Sequence, residues 1–362
     1  MLNICIVAGA RPNFMKVAPL IWTINKFRSE GNLIAYKLIY TGSHDDKTLE
    51  TSLFADLQIP EPDVYLGVEC SSLNELTGRV MFEFEQYLLA NKTDVVIVVD
   101  DLASTMAVAI VTKKCGIRLV HILAGTRSFD ITMPKEINKL VIDGLSDYLF
   151  TAGIRSNNIV TREGASLSHI YMVGNILMDT LRYCHPRFYK PKIIENLEDK
   201  NYILLTINRK ALLSDKDNLL LVLSAMVNAV KDKPIIAPLR KQAADVIVSL
   251  GFERKINIIP PMSYLEFGYL SEHALGIVTD SGNVAEEATF NNVPCVTLNT
   301  YTEHIETVTY GTNVLVGENA EKLVSMIEDM LDGKWKKSSL PERWDGRTAD
   351  RIIRILSEEK II

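Results

Sequence analysis

The sequence lacks the features that mark several large classes of protein. Its 39 Lys and Arg residues against 45 Asp and Glu give a formal net charge of −6, so a nucleic-acid partner is not expected. No apolar run approaches the roughly 18 residues of a membrane-spanning helix. No basic segment with a cleavage site follows Met1. These absences predict a cytoplasmic protein without a membrane partner.

Cysteine pairs, metal-ligand clusters and cofactor fingerprints are missing as well. The five cysteines are dispersed without a Cys-x-x-Cys pair, which predicts reduced thiols and neither a disulfide framework nor a zinc site. No His, Cys, Asp and Glu residues have the spacing of metal ligands, and no Ser-His-Asp set can be proposed from spacing. Because the chain has neither a Walker motif nor a Gly-x-Gly-x-x-Gly, a nicotinamide cofactor is not indicated. We expect no cofactor and no metal.

The chain does contain two successive blocks in which strand and helix patterns alternate. Such alternation predicts two Rossmann-like, doubly wound parallel sheets, an α/β fold. The stretch 186–200 is rich in Pro, Lys and Glu, has no apolar period, and is the expected linker. We therefore predict an N-terminal domain over 1–185 and a second domain over 186–345. The amphipathic helix within 346–362 is expected to pack back on the first domain.

Ligands of doubly wound sheets bind beyond the carboxyl ends of the strands, and polar residues follow several predicted strands here. After the first strand, Gly9 permits close backbone approach, Arg11 offers a planar fork of donors and Lys16 a point charge. A phosphate site or an ordinary surface Arg and Lys would both fit. After a later strand, Asp100 and Asp101 could serve as a base, as hydroxyl acceptors or as a helix cap.

The histidines near strand ends leave two interpretations open. His44 and His121 are candidates for proton transfer only if they face a ligand. A lone histidine at the end of a strand is more often structural.

Residues 279–287 combine a strand end, a Ser281-Gly282 loop and a helix expected to begin near Val284. Free backbone N–H groups at such a helix start point at anions. Glu286 and Glu287, expected in its first turn, suit sugar or ribose hydroxyls. The alternative is a plain turn with a capping Asp or Ser.

Taken in order, these motifs form a series that resembles the non-hydrolysing UDP-N-acetylglucosamine 2-epimerases over nearly the whole chain. The matching stretches are Gly9-Ala10-Arg11-Pro12-Asn13-Phe14-Met15-Lys16-Val17-Ala18-Pro19, Thr41-Gly42-Ser43-His44, Ala124-Gly125-Thr126-Arg127-Ser128-Phe129-Asp130, Met133-Pro134-Lys135-Glu136-Ile137-Asn138-Lys139, Val173-Gly174-Asn175 with Asp179, Thr279-Asp280-Ser281-Gly282 with Glu286-Glu287, and Gly311-Thr312-Asn313-Val314-Leu315-Val316-Gly317.

The resemblance implies a glycosyltransferase-B-like arrangement, with two lobes facing across a cleft that holds a UDP-sugar, and by fold analogy a homodimer. It implies a reaction that eliminates UDP to leave a 2-acetamidoglucal and adds it back after the C2 proton returns on the other face. By position, Arg11 and Lys16 would hold the diphosphate, and Asp101 matches the catalytic aspartate. The further candidates for proton transfer are Asp100, Glu136 and His44. The further candidates for substrate binding are Arg127, Asn208, Arg209, Ser281, Gly282, Glu286 and Glu287.

The departures from the family pattern fall on the positions that serve the chemistry. Leu123 stands where the family has a glutamate, and Asp100 where it has a glycine. The other departures are Lys135 for glutamate, Lys139 for arginine, Asn208 and Arg240 for histidines, and Asn299, His304 and Ile305 in the segment after the last predicted strand. Leucine cannot transfer a proton, so epimerase turnover by the family's own residues is not expected.

Three functions remain open from the sequence. One is a divergent epimerase in which Asp100, Asp101, Glu136 or His44 moves the proton. The second is a catalytically inactive UDP-sugar-binding protein or a partner of an active paralogue. The third, by fold analogy alone, is a glycosyltransferase.

Overall fold

The computed structural model describes residues 1–49, 52–165 and 169–358, and these divide into two compact units. The first unit comprises Met1–Tyr183 with Glu342–Ile362, and the second comprises Cys184–Pro341. Within the described ranges, no helix is both long and apolar enough to cross a membrane.

The first unit contains a seven-stranded, all-parallel sheet in the order β3-β2-β1-β4-β5-β6-β7. Its strands are β1 (Leu2–Ala8), β2 (Ile34–Tyr40), β3 (Val64–Tyr65), β4 (Val95–Val99), β5 (Arg118–Ala124), β6 (Tyr148–Thr151) and β7 (His169–Met172). Its helices are α1 (Arg11–Ser29), α2 (Leu53–Leu57), α3 (Leu73–Ala90), α4 (Ala103–Lys114), α5 (Pro134–Leu145), α6 (Ile154–Arg162), α7 (Leu177–Cys184) and, at the other end of the chain, α15 (Thr348–Glu358). All five residues of β4 are buried, as expected for a central strand covered on both faces.

The second unit repeats the design with a six-stranded parallel sheet in the order β10-β9-β8-β11-β12-β13. Its strands are β8 (Ile203–Thr206), β9 (Ile235–Pro238), β10 (Asn257–Ile259), β11 (Gly276–Thr279), β12 (Cys295–Thr297) and β13 (Asn313–Leu315). Its helices are α8 (Lys210–Ser214), α9 (Lys216–Val230), α10 (Lys241–Ser249), α11 (Tyr264–Glu272), α12 (Gly282–Phe290), α13 (Glu306–Thr309) and α14 (Ala320–Leu331). Two Rossmann-like parallel sheets confirm the predicted fold class.

Strand order places one switch point in each sheet, where the chain's connections diverge to either side. In the first unit the switch lies between β1 and β4, and in the second it lies between β8 and β11. The crevice beyond the strand ends at such a point is where ligands of this class of sheet bind. Each unit therefore has its own candidate crevice for a ligand.

The first helix, α1, begins at Arg11 directly after the loop that follows β1, and Ala10 is its N-cap. Proline at the second position suits the start of a helix. Between β2 and β3 the described residues form one short helix, α2.

The C-terminal helix α15 is attached to the first unit by a buried carboxylate. Asp179 Oδ1 accepts from Ala349 N at 2.8 Å, and its Oδ2 accepts from Thr348 N at 3.0 Å. These are orphan donors of the first turn of α15. Burial raises the pKa of Asp179 from its ordinary 3.8 to about 6, against the lowering effect of both backbone hydrogen bonds.

This raised pKa predicts a specific pH dependence of stability. Because the native state binds the proton more tightly than the unfolded chain, protonated Asp179 stabilises the fold most below pH 3.8. That contribution is lost as the pH rises through about 6, a change of up to about 3 kcal/mol. The unfolding free energy of wild type minus that of Asp179→Asn should therefore fall from pH 4 to pH 7, as measured by urea denaturation. A difference that stays constant or grows contradicts the prediction.

Candidate functional site

At the switch point of the second unit, one residue, Asp280, connects the neighbouring loops by hydrogen bonds. Asp280, directly after β11, accepts through Oδ2 from the backbone N–H groups of Asn208 and Arg209 at 2.8 and 2.7 Å. Its own carbonyl accepts from Asn299 Nδ2 at 3.0 Å. Loops that follow three adjacent strands, β8, β11 and β12, are thereby fixed to one another. Asp280 positions loops and does not cap α12.

The start of α12 is left open to solvent by this arrangement. The helix begins at Gly282, two residues before the predicted start, and its N-cap Ser281 makes no side-chain cap. The first-turn N–H groups have no intrahelical partner. Gly282 is exposed, and a Cβ built there meets no atom within 4 Å. The geometry is that of an anion-binding helix terminus.

Glu286 and Glu287 lie in the second turn of α12, so their predicted place in the first turn was wrong. Both carboxylates are buried. Glu286 Oε1 lies 3.8 Å from Nε2 of His304, which is also buried. Two carboxylates within a helical turn of an anion-binding terminus can accept hydrogen bonds from hydroxyls beside that anion.

Asn208 and Arg209, in the loop after β8, both contribute backbone N–H groups to the switch point, but their side chains differ. The side chain of Asn208 is exposed. The Arg209 guanidinium donates to the Leu298 carbonyl at 3.1 Å and pairs with Glu318. Since Glu318 neutralises it, Arg209 is held as part of the loop framework.

At the switch point of the first unit, the loop after β1 is folded on the side chain of Asn13. Asn13 Oδ1 accepts from Gly9 N at 2.8 Å and from Ala10 N at 3.1 Å. Asn13 Nδ2 then donates to Asp100 Oδ2 at 2.8 Å. The N–H groups that a bound phosphate could have used are therefore occupied, and the amide group faces Asp100. Arg11 lies at the start of α1 and is half-buried.

Asp100 links the end of β4 to α1. Its Oδ1 lies 2.6 Å from Nζ of Lys16, whose side chain is 7% exposed. Its backbone is in the left-handed region, with φ +61°, where Asp is tolerated but Gly is favoured. Its carbonyl lies 3.0 Å from Nε2 of His121. The predicted proton-transfer residue Asp100 is thus the counterion of the predicted phosphate ligand Lys16.

Asp101 lies between two lysines of α5. Its Oδ1 is 3.3 Å from Lys135 Nζ, and its Oδ2 is 3.4 Å from Lys139 Nζ. The Lys139 side chain is 3% exposed and that of Asp101 is 8% exposed. Asn138 Nδ2 donates to the Asp101 carbonyl at 2.8 Å. This carboxylate can accept a proton, and either ammonium can donate one.

A buried hydrogen-bonded and ionic network around Asp143 packs next to Asp100, which it contacts through His121. Asp143 Oδ1 lies 2.6 Å from His121 Nδ1, and its Oδ2 lies 2.7 Å from Arg127 and accepts from Gly125 N at 3.1 Å. Burial would raise the pKa of Asp143, but His121 and Arg127 hold it below its ordinary value. His121 bridges α5 and the end of β4, because its Nδ1 faces Asp143 and its Nε2 faces the Asp100 carbonyl.

Arg127, a predicted substrate ligand, is turned into this network. Its guanidinium pairs with Asp143 and Glu163 and donates to the Thr126 carbonyl at 2.8 Å. Its side chain is 1% exposed. Arg127 is therefore engaged within the framework of the first unit, and its role as a substrate ligand stays a prediction.

Glu136, predicted for proton transfer, holds the loop before α5. It accepts from Ser128 N, Ser128 Oγ and Phe129 N at 2.9, 2.9 and 3.0 Å. Burial alone would raise the pKa of Glu136, but these hydrogen bonds and nearby Lys139 lower it. A carboxylate so stabilised in its charged form is a weak base.

Leu123 and His44 complete the predicted positions. Leu123 is buried at a bulge of β5, with φ +66°, which is a strained conformation for a bulky residue. The His44 side chain is 71% exposed and lies against Tyr65 at a ring distance of 5.0 Å. Neither residue joins the cluster of ion pairs around Asp100 and Asp101.

Asp143 is the main residue that the sequence interpretation missed. It lies on the same face of α5 as Glu136 and Lys139, at a spacing of three and then four residues. All three are buried, so a polar stripe at helical spacing was the available signal. Among the described residues, no three His, Cys, Asp or Glu side chains are grouped as a metal site requires.

Comparisons with known proteins find similarity to one family of sugar-nucleotide epimerases over nearly the whole chain. A family profile described as UDP-N-acetylglucosamine 2-epimerase matches residues 27–357. The UDP-N-acetylglucosamine 2-epimerase of Methanocaldococcus jannaschii is 34% identical, covering 99% of this chain and 100% of that protein. Its crystal structure with UDP-GlcNAc and UDP has a TM-score of 0.86, again with 99% and 100% covered. A UDP-2,3-diacetamido-2,3-dideoxy-D-glucuronate 2-epimerase of Pseudomonas aeruginosa is 31% identical, with 99% and 100% covered.

Proposed function

The chain belongs to the UDP-N-acetylglucosamine 2-epimerase family, and from this premise we propose that it binds a UDP-linked N-acetylhexosamine. The candidates are UDP-N-acetylglucosamine and UDP-N-acetylmannosamine, the two sides of the family reaction. Support comes from the M. jannaschii relative, which was crystallised with UDP-GlcNAc and UDP.

The observation that carries the proposal is the open N-terminus of α12. Asp280 is engaged by Asn208 and Arg209, so no side chain caps the helix, and Gly282 leaves room for a phosphate against the first turn. The partial positive charge of the helix end favours a diphosphate. Glu287, buried one turn further on, would accept from ribose hydroxyls.

Catalysis is proposed to be slow. Elimination of UDP requires a base at C2, and the family's glutamate is replaced by Leu123. The charged groups near the end of β4 are largely paired, with Asp100 on Lys16 and Asp101 on two lysines. Loss of one proton-transfer group typically reduces the rate by about 10²–10⁴. We infer a nucleotide-sugar-binding protein with weak residual epimerase chemistry.

Isothermal titration calorimetry with UDP and with both UDP-sugars tests the binding. Gly282→Glu should weaken UDP binding at least about tenfold, because it places a carboxylate where the diphosphate lies. Gly78→Glu is the matched control, since Gly78 is also exposed, helical and without a neighbour within 4 Å of an added Cβ. No heat at millimolar ligand, or equal effects of the two substitutions, would overturn the proposal.

Proton exchange tests the chemistry separately. Incubation with either UDP-sugar in D₂O, followed by NMR, should show deuterium at C2 far more slowly than an active relative of the family shows it. Exchange at the relative's rate would contradict the proposal that Leu123, in place of the family's glutamate, slows the reaction. Release of UDP only when an acceptor sugar is added would favour the glycosyltransferase alternative.

A further inference from the structure

Lys16, one of the phosphate-binding groups expected after β1, is already paired with an anion of the chain itself. Both oxygens of Asp100 are used, one on Lys16 Nζ at 2.6 Å and one on Asn13 Nδ2 at 2.8 Å. A carboxylate and a phosphate accept the same charge-assisted hydrogen bonds. Asp100 therefore occupies the position in which a ligand phosphate would contact this loop.

The Asn13 donor on α1 is held in place independently of Asp100. Asn13 is oriented by the loop, because its Oδ1 accepts from Gly9 N and Ala10 N, and its Nδ2 must then point away from the loop. Lys16 lies one turn further along the same helix and is buried. The two donors thus lie one turn apart on the same helix.

The backbone of Asp100 is also fixed, whereas its side chain is the more exposed partner of the ion pair. His121 donates to the Asp100 carbonyl at 3.0 Å, and Asn138 Nδ2 donates to the next carbonyl, that of Asp101, at 2.8 Å. The Asp100 side chain is 18% exposed against 7% for Lys16. Rotation of one carboxylate toward solvent would uncover the donor pair without moving the main chain.

We propose that Asp100 is an autoinhibitory residue whose carboxylate competes with a nucleoside diphosphate for Lys16 and Asn13. This inference rests on the proposed binding of UDP-sugars. The competition from Asp100 would lower the affinity of that binding. Substitution of Asp100 leaves the buried ammonium of Lys16 without this counterion, which destabilises the unliganded protein. A bound phosphate restores the counterion, so the ligand-bound state is favoured.

Titration of wild type, Asp100→Asn and Asp100→Gly with UDP tests the proposal. Both variants should bind UDP about tenfold or more tightly than wild type, because an internal charge-assisted bond no longer has to be broken. Without UDP, both variants should also melt at a lower temperature than wild type. Addition of UDP should raise their melting temperatures more than it raises that of wild type. Glycine suits φ +61° at this position, so at least one variant is expected to fold.

Asp147→Asn is the matched control, because Asp147 also pairs with a lysine of the first unit, Lys113, at 2.7 Å. Its UDP affinity should stay within about twofold of wild type. Equal or weaker UDP binding by both Asp100 variants, with measurable binding by wild type, overturns the autoinhibitory role and leaves the proposed function standing. Failure of all four proteins to bind UDP overturns the proposed function itself.

Discussion

Replacing Leu123 with glutamate is expected to accelerate deuterium exchange at C2 of a bound UDP-N-acetylhexosamine by about 10²-fold. Leu123 lies at the bulge of β5 with φ +66°, a backbone conformation that is unusual for a bulky residue. Strained backbone of this kind is concentrated at functional sites. The bulge therefore presents position 123 in a way that a proton-transferring side chain could use.

Leu123→Gln separates proton transfer from shape. Glutamine matches glutamate in size but cannot accept the C2 proton, so its exchange rate should equal that of wild type. UDP affinity, measured on the same samples, shows whether either substitution disturbs binding. Equal exchange by the Glu and Gln variants, with binding intact, would show that position 123 does not limit the reaction. The exchange rate of Leu123→Glu should stay below that of an active family member, because Lys135 and Asn208 also differ from the family pattern. The effects of residues that act in one catalytic unit are not additive.

Removing the Asp143 carboxylate is expected to destabilise the first unit by about 3–5 kcal/mol. Asp143→Ala removes a carboxylate that pairs with buried Arg127, contacts buried His121 and accepts from Gly125 N–H, although Arg127 keeps its pair with Glu163. Asp143→Asn keeps one acceptor oxygen and should cost less. If the alanine variant does not fold, the asparagine variant still reports the effect.

The chain's three tryptophans allow this loss to be measured in one unit. Trp22 and Trp344 lie in the first unit and Trp335 in the second, so a Trp335→Phe background restricts the fluorescence signal to the first. Glu75→Ala is the control, because the exposed pair of Glu75 and Arg79 on α3 is worth only about 0.5 kcal/mol. A loss for Asp143→Ala no larger than that of the control would contradict a supporting role for the network.

The sequence alone was sufficient for the architecture and for the neighbourhood of the site. Apolar β-branched runs such as Val95–Val99 are dictated by burial on both faces of a sheet, and their alternation with helices requires parallel strands. Because ligands of such sheets lie beyond the carboxyl ends of the strands, the loops holding Lys16, Asp100 and Ser281 could be selected without coordinates.

The sequence could not decide which of these polar groups would be available to a ligand. Asp100 and Lys16 are 84 residues apart, and they meet only because β4 lies beside β1 in the sheet. Likewise, Asp280 reaches the loop after β8 because β11 lies beside β8. Strand order is set by crossover packing over the whole unit, and no local pattern encodes it. Local chemistry determined where polar residues gather, and tertiary structure decided that Lys16 and Arg127 are paired internally while the start of α12 stays open.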